Sequence, residues 1–415
     1  MSEASPGIDT CLDPVAMRDL LQAWLPGGHA IAQVRIGKVR RSASRHRHPN
    51  PLTLVYETEL HTGGSRRYYA KVYRQGASLQ ALHGSAALPV PPLDMLLWAW
   101  PADPALPQLP ELLDGRRALA WLDTSNADAP AAEVELLGYE PEQRATLRYT
   151  LGDRVVYAKT FSDDRGARIH ERFEHFWSLA QQDGDAPRVA QPLGWQARTR
   201  SVWQGRAPGE PLVQVLGSVL PRRLPVRLAR AMAVLHAQSL PTDAVHDQAH
   251  WLREVRRRGQ KISRALPALG GRVAALADAI ERAAFTLPLP VSGLIHGDFH
   301  AGQVGVQMDD AQRIVFHDFD EFALGDPMED LAAFVTRLPA DRAPAEVGAL
   351  VIAAYAQEAP ERFGRRRLQW HLAVQMLLQA SRAFVFQIDG WRDELERRLA
   401  RAEALCAPGF QETQS

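Results

Sequence analysis

The hydrophobic period of this chain changes near residue 212, and that change limits the folds open to it. Ahead of it, apolar residues alternate. "LTLVYETEL" (52–60) and "SRRYYAKVYRQG" (65–76) flank a His-Thr-Gly-Gly turn, and "RATLRYTLGDRVVYAKTFSDD" (144–164) holds two alternating segments around Leu-Gly-Asp. Alternation sends successive side chains to opposite faces, so these stretches read as hairpins of half-buried strands. Behind residue 212, "RLARAMAVLHAQSL", "GRVAALADAIERAAF" and "LQWHLAVQMLLQASRAFVFQI" carry helical spacing. One helix interrupts the strand-rich part: "RGARIHERFEHFWSLAQQ" places Ile169, Phe173, Phe176, Trp177 and Ala180 along one side. After it, "PLGWQARTRSVWQGRAPGEP" reads as a strand bounded by Pro and Gly. The expected fold is α+β and bilobal, with a β-rich N-lobe and a helical C-lobe.

The two hairpins resemble one another. "LVYETEL…RRYYAKVYR" lies beside "LRYTLGD…RVVYAKTFS", with Lys71 and Lys159 in matching places 88 residues apart. Two readings stay open: a duplicated β-lobe, or a chance likeness between hairpins built on the same alternation. The proline-rich span 88–115 excludes a long helix, and the small polar stretch 123–133 is the best linker. This gives residues 1–125 as an N-terminal region, a degenerate N-lobe copy on the first of those readings, 126–205 as the N-lobe with its linker strand, and 206–415 as the C-lobe.

A formal net charge of zero argues against bulk electrostatic capture of nucleic acid or anionic membrane. The two cysteines, Cys11 and Cys406, stand near opposite ends, which suits a reducing compartment and no disulfide framework. The N-terminus has no basic segment leading into an apolar core, and no apolar run is long enough to span a bilayer. The expectation is a soluble, cytoplasmic protein with no nucleic-acid or membrane partner; the sequence does not fix an oligomeric state.

Chemistry is concentrated in "HGDFHAGQV" (296–304) and "HDFDEF" (317–322). A metal-hydrolase reading would use His296, His300, His317 and Asp318. Gly297 and Gly302 break the helix that His-x3-His zinc ligation needs, so His296 reads instead as a brace for its loop. Phosphoryl transfer needs a cation on the nucleotide phosphates, a divalent metal on oxygen ligands, and a carboxylate that orients the acceptor hydroxyl. Asp298 suits the carboxylate role. Asp318 and the Gln303 carbonyl are hard oxygen ligands of the kind Mg²⁺ prefers. Lys159 precedes the helix that carries Glu171 and Glu174, and a strand Lys paired to a helix Glu would hold the phosphates.

In this order, strand Lys, helix Glu, linker strand, "HGDFHAGQ", "HDFD" and "GDPMEDLA", the chain resembles the aminoglycoside phosphotransferase and choline kinase superfamily, small-molecule kinases with a protein-kinase-like fold. The resemblance runs from about residue 133 to about 340. It implies ATP and Mg²⁺ as cofactors and a small hydroxyl-bearing substrate. Asp298 would be the catalytic base, Asp318 a metal ligand, Lys159 the phosphate lysine with Glu174 its partner, and Asp330 a structural acid. Trp203 falls where the adenine-binding linker should lie, either to stack on the base or to pack between the lobes. Two departures stand out. Gln303 replaces the family's Asn, and "LGYEPEQRATL" (137–147) has a single glycine, Gly138, where protein kinases carry a glycine series. The first departure motivates an alternative, a pseudokinase that binds without turnover. Lys71 reads as a surface lysine, Asp326 as a turn former, Asp320 as a loop acid or second metal ligand, and the basic run 253–261 as a solvated helix face.

Overall fold

The computed structural model describes residues 8–25, 30–41, 52–73, 76–82, 86–120, 132–217, 223–308, 312–339, 343–344, 346–386 and 390–407. The expected linker, 123–133, lies almost wholly outside them. The chain forms two compact units, one of Met1–His170 with Leu193–Gly205, the other of Glu171–Pro192 with Arg206–Ser415.

The first unit holds two five-stranded antiparallel sheets of the same design. In the first, helices α1 (Ile8–Cys11) and α2 (Pro14–Trp24) precede β1 (Ile31–Arg41), β2 (Leu52–Leu60) and β3 (Ser65–Val72), then α3 (Ala77–Ala81), β4 (Leu88–Val90) and β5 (Met95–Ala99). In the second, α4 (Leu109–Leu112) and α5 (Gly115–Leu119) precede β6 (Glu133–Glu140), β7 (Arg144–Leu151) and β8 (Arg154–Phe161), then α6 (Arg165–Gln182), β9 (Pro192–Gln196) and β10 (Ser201–Gly205). The strand orders match, β1-β2-β3-β5-β4 and β6-β7-β8-β10-β9. The span read as one strand after α6 is therefore a hairpin, β9 and β10, turned at Arg200 with φ 45°.

The likeness extends to single residues. Lys71 pairs with Thr53 and Leu96, and Lys159 with Thr146 and Val202. Tyr56 donates its hydroxyl to Cys11 O at 2.9 Å, and Tyr149 donates to Leu112 O at 2.7 Å. Two residues past each of those carbonyls an aspartate, Asp13 or Asp114, accepts backbone N–H bonds at the start of the next helix. Each sheet then buries one face under its preceding helices: Met17 and Leu21 cover Leu54, Ala70 and Leu97, while Leu112 and Ala118 cover Leu147, Ala158 and Trp203. The N-terminal region thus repeats the strand order and several residue contacts of the second sheet.

In the second unit, α8 (Leu224–Ala237), α9 (Gln248–Ala265) and α10 (Gly270–Ala284) follow the short β11 (Glu210–Pro211), α7 (Leu212–Val215) and, between α8 and α9, β12 (Val245–His246). Then come β13 (Gly293–Ile295), β14 (Val304–Val306), β15 (Ile314–Phe316), β16 (Ala323–Gly325), α11 (Met328–Thr336), α12 (Val347–Glu358), α13 (Arg365–Phe386) and α14 (Trp391–Cys406). Helices α9, α10, α13 and α14 share a core built on Trp251, Ile262, Ile280, Trp370, Leu377 and Leu399. The small strands hang the two motif loops on this scaffold. Along α9, Arg256 and Arg257 pair with Glu281 and Glu254, as a solvated basic face would. Among the described residues no helix is long and apolar enough to cross a membrane.

Candidate active site

The loop after β13 is fixed from below by a buried acid. Asp330, wholly buried in the first turn of α11, accepts the backbone N–H groups of His296 at 2.6 Å and Gly297 at 3.0 Å. His236 Nε2 lies 3.2 Å from the same carboxylate, and its Nδ1 is 2.7 Å from the Tyr355 hydroxyl. Burial opposes ionisation of Asp330, but the hydrogen bond and charge of His236, with those of His296, hold its carboxyl below the usual range. His296 Nε2 reaches His317 O at 2.7 Å, joining the two motif loops. Gly297 sits at φ 81°, and a Cβ there would fall 2.2 Å from Glu321 O, so only glycine permits this approach.

Asp298 emerges from that loop with its side chain 42% exposed. Its Oδ1 accepts from Arg337 Nη1 at 2.5 Å; Arg337 also donates to Phe299 O at 2.9 Å and Ala333 O at 3.2 Å. His300 Nδ1 accepts from Gly302 N at 3.0 Å, so its Nε2 carries the proton in the neutral ring and lies 3.9 Å from Asp298 Oδ2. Burial first, then the Arg337 charge, pulls the His300 pKa from 6.5 to about 4. Arg382, from α13, adds a second cationic influence on Asp298. Arg337 escaped the sequence reading, although it is the first basic residue after Asp326 and closes the buried helix that begins there.

Gln303 and Asp318 are brought together by strand register. Val304 pairs with Phe316, so the residue before β14 and the residues after β15 face each other, and His317 N donates to Gln303 O at 3.0 Å. Asp318 adopts φ 58°, ψ 77°, which turns its carboxylate back toward Gln303; Gln303 Nε2 lies 3.4 Å from Asp318 Oδ2. Rotating the amide end for end would direct its carbonyl oxygen the same way, giving two hard oxygen donors at one point. Among the described residues no group of three or more His, Cys, Asp or Glu is set to hold a metal, and His296 and His300 spend ring nitrogens on backbone groups. The cluster that a zinc-hydrolase reading needs is not among the described residues.

Asp326 shapes its turn, accepting from Met328 N and Arg367 with His371 alongside. Helix α6 is bolted to the metal-loop segment by Arg172, which donates to Phe319 O at 2.7 Å, and by Phe173, stacked on Phe319 at 4.7 Å. Glu174 lies on the exposed face of that helix. In the first unit Lys159 is half-buried on β8. Trp203 is a correction. Strand alternation puts it on the face opposite Lys159, where it is 1% exposed, tilts against Tyr149 and gives its Nε1 proton to Ser201 Oγ at 2.8 Å. It is a core residue of the second sheet and has no face for a nucleotide base. Lys71 is a second correction: it is no free surface lysine but an ion-pair partner of Glu142 at 2.6 Å.

Residues 143–371, more than half of the chain, match the phosphotransferase enzyme family, and the chain belongs to that family. No curated protein matches it. In fold it is similar to choline kinase from Cryptosporidium parvum Iowa II, at 10% identity with TM-score 0.51, covering 72% of this chain and 98% of that one. A choline/ethanolamine kinase family protein from Mesorhizobium loti shares 18% identity at TM-score 0.48, with 71% and 95% covered. Choline kinase LicA from Streptococcus pneumoniae shares 13% at 0.48, with 70% and 96% covered. The fold is protein-kinase-like, as the resemblance to the aminoglycoside phosphotransferase and choline kinase superfamily implies.

Proposed function

We propose that this chain transfers the γ-phosphoryl group of ATP, with Mg²⁺, to a hydroxyl of a small polar metabolite. The observation that carries the reading is the convergence of Gln303 and Asp318 in one unit with Asp298 held on the neighbouring loop. Asp298 orients the acceptor hydroxyl and takes its proton as the oxygen attacks phosphorus and the bond to the bridging oxygen of ADP breaks. Gln303 and Asp318 would hold Mg²⁺, which when bound neutralises charge on the phosphate oxygens. Lys159, with Glu174 as its partner, would position those phosphates. Arg337, Arg382 and a neutral His300 around Asp298 suit an uncharged, sugar-like acceptor better than a cationic amino-alcohol.

The test is calorimetric titration of ATP, with and without Mg²⁺, into wild type and Asp318→Ala. Mg²⁺-dependent binding that disappears in the variant supports the reading and justifies a screen of hydroxyl acceptors. Binding that ignores Mg²⁺ would sink the metal assignment and leave a pseudokinase.

A further inference from the structure

The face of the first sheet that bears Lys71 is the counterpart of the face of the second sheet that bears Lys159, because the two lysines hold the same register. On the first sheet protein covers much of this face, and Lys71, Trp98, Asp103 and Glu142 line a cavity of about 550 Å³ beside the covered part. Helix α3 covers part of it, where Ala77 packs with Val55, Tyr69 and Trp98. Another part receives the turn between β6 and β7. Tyr139 meets Tyr69 edge-on at 6.4 Å and Trp100 at 4.6 Å, and Lys71 Nζ lies 2.6 Å from Glu142 Oε1. Asp103, 3% exposed, completes the grip: its Oδ2 accepts from the Tyr139 hydroxyl and from Glu142 N, each at 2.8 Å. Behind them Leu106 and Leu109 pack on Ala145.

Two features say that this turn is held rather than merely touched. Glu142 has φ 61°, a left-handed conformation that a residue with a side chain keeps only where surrounding contacts impose it. The turn is also acidic, with Glu140 and Glu142, and each acid is given its own cation, Arg144 at 3.2 Å and Lys71. In protein kinases the loop joining the first two N-lobe strands covers the nucleotide phosphates. A turn in that position with an unneutralised carboxylate would repel them.

We propose that the N-terminal sheet is a docking copy of the kinase sheet, that what it binds is the phosphate-covering turn of that sheet, and that Lys71 and Asp103 are positioning residues for nucleotide binding. This rests on the nucleotide reading given above. The duplicated lysine pairs with Glu142, and through that pair the first sheet sets the pose of the second sheet's turn.

The experiment titrates Mg²⁺ and ATP into the full-length chain as wild type, Lys71→Met, Lys71→Arg and Tyr139→Phe, with thermal unfolding of each. Lys71→Met is expected to raise the nucleotide Kd roughly fivefold or more, the lower end of coupling between linked sites. Lys71→Arg, which keeps the charge, should stay near wild type. Tyr139→Phe removes only the hydroxyl held by Asp103 and should shift Kd in the same direction; it decides the matter if Lys71→Met does not fold. A purely structural role predicts the opposite pattern, lowered melting temperature with unchanged Kd, and that result overturns the proposal. The wild-type titration separates the two failures. No nucleotide binding by wild type defeats the functional reading and this proposal together, whereas equal binding by wild type, Lys71→Met and Tyr139→Phe defeats this proposal alone.

Discussion

Arg337 and Asp298 form an ion pair of unequal exposure: the guanidinium is 13% exposed, the carboxylate 42%. The arginine is fixed by two backbone carbonyls as well, so the carboxylate is aimed by a rigid partner while its second oxygen stays open to an acceptor. Arg337→Met should therefore lower kcat about 10- to 100-fold, since a displacement of about 1 Å at a reacting group can cost that much. Asp298→Asn should cost about 10²- to 10⁴-fold, the range of a lost general base. Both variants should bind nucleotide with wild-type affinity by calorimetry. A matching loss of nucleotide binding would mean that the loop, not the carboxylate, had been disturbed.

Gln303 reaches Asp318 because the β14–β15 register places the two facing each other with a side chain of this length. Gln303→Asn restores the residue expected by resemblance but withdraws the carbonyl by one methylene on a backbone built for Gln. Expected is a Mg²⁺ requirement raised about tenfold, in the range seen when a metal site loses its supporting geometry. Titration of Mg²⁺ at fixed ATP measures it; a lower requirement in the Asn variant would show that Gln303 is a handicap.

The helical and strand periods were legible because burial imposes them on the sequence itself. Helix α6 runs over the residues whose spacing marks it, Arg165–Gln182. The loop aspartates were legible because short motifs carry them. What stayed hidden depends on partners distant in sequence. The likeness of the two sheets shows in sequence as little more than "YAK" and a Thr-Leu-x-Tyr, and the matching Tyr-to-helix bonds join positions 45 and 37 residues apart. Arg337 and Arg172 act through backbone carbonyls, which leave no trace in side-chain identity. Trp203 misled because an aromatic on a linker strand looks the same whichever face it takes, and the face is decided by register with β8.

Asp330 is buried with three partners, two of them backbone N–H groups that have no substitute acceptor nearby. Asp330→Ala strands these donors and the His236 ring together. The expected destabilisation is about 3–5 kcal/mol, the range for removing one member of a buried charged network. Urea unfolding of the full chain would read it as a lowered midpoint, and Asp330→Asn, which can still accept one or two of the bonds, should lose less. Equal stability in wild type and Asp330→Ala would refute the brace.

His300 gives a pH signature with a definite sign. Its folded-state pKa lies near 4 against 6.5 for the free side chain, because burial and Arg337 disfavour the cation. Between those values the unfolded chain binds more protons than the folded one. Stability from this residue is therefore complete above pH 6.5, falls as pH drops, and levels out below about pH 4. Over the part of that window down to pH 5 the loss should be about 1–2 kcal/mol, discounted for partial exposure. His300→Asn keeps an acceptor for Gly302 N but cannot titrate. Urea midpoints at pH 7.5 and pH 5 should accordingly fall further for wild type than for His300→Asn, with the two proteins alike at the higher pH. Parallel loss in both proteins would place the acid sensitivity elsewhere and leave His300 ordinary.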